Sequence, residues 1–264
     1  MPYRCVFIRK SDRMSLKDNN LTVLKDDKTV SIPLEDISMV MLEDPQTVIT
    51  SRLLSALAEN YIGLLICDND YNPISISLPL STHYKQLAVF NLQMNVKKPL
   101  YSQLWCQIIE SKIQNQLIVV GQTSHDEFAI DKLSEFKKSV KSGDKDNVES
   151  TAARIFFNGA YGHSFTREQK SKDPINSALN YGYTILMSCM SRLLAAYGFN
   201  TILGIHHCSY VNNFNLSCDL MEPFRPIVDR LVYYCLDDLA FPLPIDIRKK
   251  LVDLLQSSIK IDNK

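Results

Sequence analysis

Up to residue 78 the apolar positions come in short runs and alternations; beyond residue 83 they recur every three or four residues. RCVFI (4–8) and ISMVML (37–42) are brief apolar runs, and LTVLKDDKTVSIP (21–33) splits into two β-rich runs about a polar DDK turn. IGLLICD (62–68) has the continuous apolarity of a buried strand, whereas PISISL (73–78) alternates. One helix interrupts the strands. Thr50 stands where it can cap SRLLSALAEN, whose Leu53, Leu54, Leu57 and Ala58 form an apolar stripe.

The second part of the chain reads as helices. HYKQLAVFNLQMN comes first, and Pro99 then opens LYSQLWCQIIESKIQNQL at a position where proline is tolerated. Ser124 and Glu127 have capping-box spacing ahead of FAIDKLSEFKKSV, with a stop expected at Gly143. A further helix should begin near Asp146 and carry Glu149. Asp173 and Pro174 start a long apolar helix that ends at Gly198. Strands followed by a block of helices predict an α+β chain: a small N-terminal β-rich, β-sandwich-like domain over 1–80, then a larger all-α domain over 83–264. Neither an internal repeat nor a low-complexity segment is visible.

Composition narrows the picture only a little. With 264 residues, 45% hydrophobic and 22% charged, the chain matches a soluble globular protein long enough to bury a substantial core. Its longest greasy stretch, ILMSCMSRLLAAYGF, is interrupted by Arg192 and too short for a bilayer span, so no membrane role is expected. The start shows no secretory leader. Seven scattered cysteines without a CxxC pair predict reduced thiols and a cytoplasmic location. Net charge is zero, although residues 1–84 carry a net of −3 and the remainder +3. That imbalance permits local phosphate-binding patches without demanding them.

No GxxxxGK[ST], GxGxxG, HExxH or GxSxG motif occurs, which argues against nucleotide hydrolysis, zincin chemistry and the α/β-hydrolase mechanism. What stands out is GIHHCSYVNNFNLSCDLMEPFR (204–225), which brings His206, His207, Asp219 and Glu222 to the edge of apolar segments, with Glu149 upstream. Imidazole and carboxylates together suit a hard divalent ion in an octahedral shell completed by water and phosphate, Mg²⁺ or, given the imidazole, Mn²⁺. Neighbouring side chains at 206 and 207 point apart, so both are not expected to ligate one ion. Each residue also has an ordinary use. Glu149 suits the first turn of a helix, and Glu222 with Arg225 has the spacing of an i,i+3 ion pair. Lys137, Lys138, Lys141, Arg154, Arg167 and Lys170 bracket the Glu149 helix, as a solvated face or as phosphate contacts.

Between the start and about residue 235 the chain carries, in order, SLKDNNL, SIPLEDIS, TVITSRLLSALAENYIGLLICD, ESTAARIFFNGAYG, INSALNYGYTIL, AAYGFNTILGIHH and NNFNL…DLMEPFRPIVD. Together these resemble the CRISPR-associated integrase that inserts new spacers into a CRISPR array, most of all its type II branch. The pairing of ALNYGY with DLMEPFRP is the feature most specific to that family. The resemblance implies a small N-terminal β domain that dimerises and an α-helical catalytic domain with a metal-bound Glu–His–acidic site. By motif the catalytic ligands fall on Glu149, His207 and Glu222, with Asp219 as a supporting carboxylate and Arg225 orienting Glu222 or touching phosphate.

It further implies that the 3′-hydroxyl of a short DNA fragment attacks a phosphodiester at the repeat boundary, without ATP. The implied partners are the prespacer DNA and the CRISPR repeat, a second copy of the chain, a small companion adaptation protein and the type II effector nuclease. A catalytically silent DNA-binding scaffold and a structure-selective nuclease are the alternatives. Two departures are visible. Members of the family often continue for one or two helices past the position of Lys264, and a second histidine stands at 206, leaving two candidates for the imidazole ligand.

Overall fold

A computed structural model describes residues 4–79, 83–169 and 171–258. Eight strands and one helix come first: β1 Arg4–Ile8, β2 Arg13–Lys17, β3 Asn20–Lys25, β4 Lys28–Pro33, β5 Ile37–Leu42, β6 Val48–Ile49, α1 Ser51–Glu59, β7 Gly63–Cys67 and β8 Pro73–Ser77. Thr50 caps α1 by accepting from the Leu53 amide, as its sequence predicts. Six strands fall where the pattern places them. β2 and β6 are additions, because RMSLK has only two apolar residues and β6 spans only two positions. The hairpins turn on Asp18–Asn19 and Asp26–Asp27, all four with positive φ, the backbone that tight two-residue hairpins require.

The strands form two four-stranded sheets, ordered β1-β5-β7-β8 and β4-β3-β2-β6. In the first, β1, β5 and β7 run parallel and β8 returns antiparallel. Parallel strands are normally covered on both faces, and here they are. Val40, Leu42 and Leu64 face the second sheet and α1, sharing a core with Met14, Leu21, Leu53 and Leu57. Met39, Met41, Leu65 and Cys67 project to the other side and pack with residues of the helical part.

That helical part contains α2 Gln86–Asn95, α3 Lys98–Gln122, α4 Glu127–Ser139, α5 Val148–Tyr161, α6 Pro174–Ala196, α7 Asn215–Met221, α8 Arg225–Tyr233 and α9 Ile245–Asp253. The two sheets thus stack as a sandwich, while the first sheet also shares one core with α6, α8 and α9, through Tyr181, Ile185, Val228 and Leu251. A buried ion pair fastens that junction. Arg248 of α9 reaches Glu43, just after β5, at 2.5 and 3.0 Å, and its guanidinium lies 3.9 Å over the Tyr71 ring. Dividing the chain near residue 80 therefore leaves the eight strands and α1 on one side and α2–α9 on the other, but the core runs across the division.

Two local expectations move. Asp126, not Ser124, caps α4 by accepting from the Ala129 amide at 2.9 Å, and α4 ends at Ser139, before Gly143. α5 begins at Val148, two residues later than Asp146, because buried Asp144 accepts from the amides of Val148 (2.9 Å) and Glu149 (3.0 Å) and caps it from upstream. α6 starts at Pro174 with Asp173 as its cap, and Gly198 follows it at φ +82°, as predicted.

Candidate active site at the α3–α5–α7 junction

Asp144 fixes the first turn of α5, and that turn presents Glu149 toward α3. From α3 comes Lys112, whose ammonium lies 2.7 Å from Glu149 Oε1 and 2.6 Å from Glu222 Oε2. Glu222 belongs to a short 3-10 turn, Glu222–Phe224, between α7 and α8. Asn115, one turn along α3 from Lys112, donates to the Pro223 carbonyl at 2.7 Å and ties that turn to α3. On its other side Glu222 Oε1 meets Arg225 at 3.0 Å. Glu222 is 2% exposed. Burial opposes its ionisation, but Lys112 and then Arg225 outweigh burial and hold its carboxyl below the usual range. Burial likewise works against the Lys112 ammonium, which Glu222 and Glu149 restore.

Asp219, on α7 and fully buried, organises the histidine loop. It accepts from three consecutive backbone amides, Ile205 (2.5 Å), His206 (3.0 Å) and His207 (3.1 Å). Its Oδ1 also receives His207 Nδ1 at 2.5 Å, which leaves Nε2 as the free nitrogen of that ring. The hydrogen bond to Asp219 raises the His207 pKa against the effect of burial, and the charges of Glu222 and Glu149 add to it. Gly204 permits this fold-back: a Cβ there would collide with the His207 carbonyl and crowd Asp219 Oδ2. His206 turns elsewhere. Its ring stacks on buried Trp105 at 4.2 Å and 2°, while Trp105 sets its edge against His207 at 5.9 Å and 90°.

Glu149, His207, Asp219, Glu222 and Arg225 are thus gathered in one region. Among the described residues, no three His, Cys, Asp or Glu side chains stand close enough to grip an ion as they are. The two glutamates already converge on a cation, but it is the Lys112 ammonium. The donor chemistry fits a hard divalent ion: two convergent carboxylates, one imidazole nitrogen, and a buried Glu222 Oε2 whose contact is the Lys112 ammonium at 2.6 Å.

At this junction the strand-rich start, the helical block and the Glu–His–Glu constellation can be set beside known proteins. A family model described as "CRISPR associated protein Cas1" matches residues 6–241. The chain belongs to the Cas1 family. It is 36% identical to the CRISPR-associated endonuclease Cas1 of Neisseria meningitidis serogroup C (strain 8013), over 99% of this chain and 86% of that one. Two solved structures share the fold. A casposase bound to integration product superposes with a TM-score of 0.77 at 19% identity, over 99% of this chain and 85% of that one. A Cas6-RT-Cas1–Cas2 complex superposes with a TM-score of 0.76 at 23% identity, over 97% of this chain and 32% of that one.

Sequence reasoning missed Lys112 and Trp105. Only the buried face of α3 marks Lys112: it sits among Trp105, Ile109, Ile113, Gln116 and Val120. A lysine on such a face is rarely buried without an anionic partner.

The basic residues divide. Lys138 and Lys141 line one shallow recess between the end of α4 and the start of α5; Lys141 pairs with Asp146 at 2.6 Å. Lys137 donates to Gln114, and Arg154 is exposed on α5. Arg167 is committed inward instead, donating to Asn176 and Asn180 and lying 5.3 Å over the Tyr183 ring. Lys170 falls outside the described residues. Among those residues no helix is long and apolar enough to cross a membrane.

Behind Arg225 lies a second buried group. Tyr183 donates its hydroxyl to Asp229, and the Arg225 guanidinium covers the Tyr183 ring at 4.8 Å. Burial pushes the Asp229 carboxyl from 3.8 up to about 7, against the opposing pull of Tyr183 and Arg225. The folded chain then keeps a proton that the unfolded chain releases, so this group's contribution falls as pH rises from 3.8 toward 7. Asp229→Asn should flatten that part of the stability profile. Thermal melts of both proteins across this range check it, and parallel curves would remove the assignment.

Proposed function

We propose that the chain is a divalent-metal-dependent DNA integrase that joins the 3′-hydroxyl of a short DNA fragment to a phosphodiester at the boundary of a CRISPR repeat. The observation that carries this reading is the convergence of Glu149 and Glu222, from distant parts of the chain, on one buried cation beside His207. In it, Glu149, Glu222 and the free Nε2 of His207 hold Mg²⁺ or Mn²⁺. The ion would polarise the attacked phosphoryl group and stabilise the leaving oxygen. Asp219 keeps the His207 Nδ1 proton in place and shapes the loop, and Arg225 holds Glu222 by one oxygen. Neutral imidazole completes the set without adding negative charge where phosphate must approach. One phosphodiester replaces another, so no nucleotide hydrolysis is required.

The name of the similar Cas6-RT-Cas1–Cas2 complex supports a companion of the Cas2 kind, and the casposase bound to integration product supports strand transfer. Homodimerisation through the strand-rich part and contact with the type II effector nuclease belong to the same reading, with a cytoplasmic location. The test is purified protein with its companion on a repeat-containing plasmid and on branched DNA. Half-site products at the repeat boundary confirm integration. Cleavage of branched DNA alone would indicate a structure-selective nuclease, and neither product a silent scaffold.

DNA affinity should come from exposed cations and fall with salt. Each phosphate neutralised on duplex DNA contributes a log–log slope of about −0.9. Reversing Lys138 and Arg154 together should flatten the slope by one to two contacts while leaving repeat preference intact. An unchanged slope would exclude both. Arg167 is expected to act through folding, given its inward bonds.

A further inference from the structure

We propose that Lys112 is a built-in stand-in for the divalent ion: its ammonium holds the Glu149–Glu222 pair in the metal-free protein and must leave Glu222 when the ion binds. This rests on reading both glutamates as metal ligands.

The oxygen inventory of Glu222 makes the case. Oε1 is taken by Arg225 at 3.0 Å. Oε2 is enclosed and faces the Lys112 ammonium at 2.6 Å. An ion approaching Glu222 at Oε2 therefore meets an oxygen that Lys112 covers. Glu149 is held by the same ammonium at 2.7 Å through Oε1. Two carboxylates this close would repel without a cation. Lys112 offsets that repulsion and holds the pair together.

The residue type suits the task. An ammonium is a point charge on a flexible four-carbon stem, able to swing aside, whereas a guanidinium fork would grip both carboxylates in fixed geometry. The competition also has a thermodynamic consequence. An ion that binds only the uncovered pair is weakened by the fraction of molecules in which Lys112 has moved away.

The test is Mn²⁺ binding to the full chain, read from the electron paramagnetic resonance signal of free Mn²⁺. Lys112→Gln and Lys112→Met should bind Mn²⁺ at least about tenfold tighter than wild type, since a unit positive charge beside the site is gone. Lys112→Arg should bind no tighter. Because the neutral variants leave two carboxylates without their cation and could fail to fold, a second measurement uses the wild type. Reductive dimethylation followed by mass spectrometry should find Lys112 protected in chelator and labelled faster when Mn²⁺ is present. Unchanged affinity in folded Lys112→Gln and Lys112→Met, or labelling of Lys112 indifferent to Mn²⁺, would overturn the proposal. Glu149→Gln and Glu222→Gln separate the two readings. If they lose Mn²⁺ while the Lys112 variants match wild type, only the stand-in role fails; if they keep wild-type affinity, the glutamates are not ligands and both readings fall.

Discussion

Glu149→Gln and Glu222→Gln should each lower integration by more than about a hundredfold, roughly 2.7 kcal/mol at the transition state, while the protein stays folded. Glutamine is chosen because both side chains also have structural duties. Glu222 lies between Lys112 and Arg225, and Glu149 completes the contact to Lys112. An amide keeps the shape and removes the charge that would hold the ion, though at 222 its single acceptor oxygen serves only one of the two cations and its NH2 faces the other. Alanine does something different at 222. It leaves two cations facing an empty buried position, and breaking a buried pair in this way costs about 3–5 kcal/mol of stability. Glu222→Ala should therefore melt well below wild type, and Glu222→Gln should melt between the two. The measurement pairs a thermal melt with half-site integration on a repeat-containing plasmid. A Glu222→Gln protein that integrates at wild-type rate would end its assignment as a ligand.

The ordering of strands and helices could be read directly because these elements carry strong periodic signals. Thr50, Pro99 and Asp173–Pro174 mark helix starts by their own chemistry, and the structure follows each of them. The capping box at Ser124 failed because Asp126 stands nearer the true start and supplies the same oxygen. Capping of α5 was hidden for another reason: its cap, Asp144, is not adjacent to the helix but reaches it across a turn. The shared core also lay beyond a residue-by-residue reading. Met39 and Met41 alternate with Val40 in a strand that is apolar throughout, and apolarity alone does not say that helices cover one side.

At the site the same distinction holds. The DLMEPFR and GIHH segments drew attention because polar groups interrupt apolar ones. Lys112 did not, because ESKIQNQL reads as an ordinary helix until its buried face is known. Asp219 was readable as an accessory carboxylate, but its three backbone amide donors depend on how the 204–207 loop folds back, which no side-chain pattern reports.

The two adjacent histidines offer the sharpest comparison. His207→Ala should abolish integration by more than about a hundredfold in Mg²⁺ and in Mn²⁺ alike, because it removes the imidazole ligand. His206→Ala should cost far less, since that ring is turned onto Trp105 at 4.2 Å. Its loss should appear mainly as a looser loop, with an aromatic stacking contribution of about 0.5–1.5 kcal/mol removed. Asp219 falls between them for a neutral ligand-orienting loss of about 10–100-fold. The structure moves it toward the upper end. Asp219→Ala removes the partner of His207 Nδ1 and also leaves three amides of the loop without their acceptor. Unmet donors in this part-buried loop cost at most about 1–3 kcal/mol each, so Asp219→Ala should also lower the melting temperature, whereas His207→Ala, at a half-exposed side chain, should not. Integration and melting measured on the same three proteins separate these effects. Loss of integration in His206→Ala but not in His207→Ala would move the ligand to the neighbouring residue. Full activity in both would remove the imidazole from the metal site altogether and leave the carboxylates to hold the ion alone.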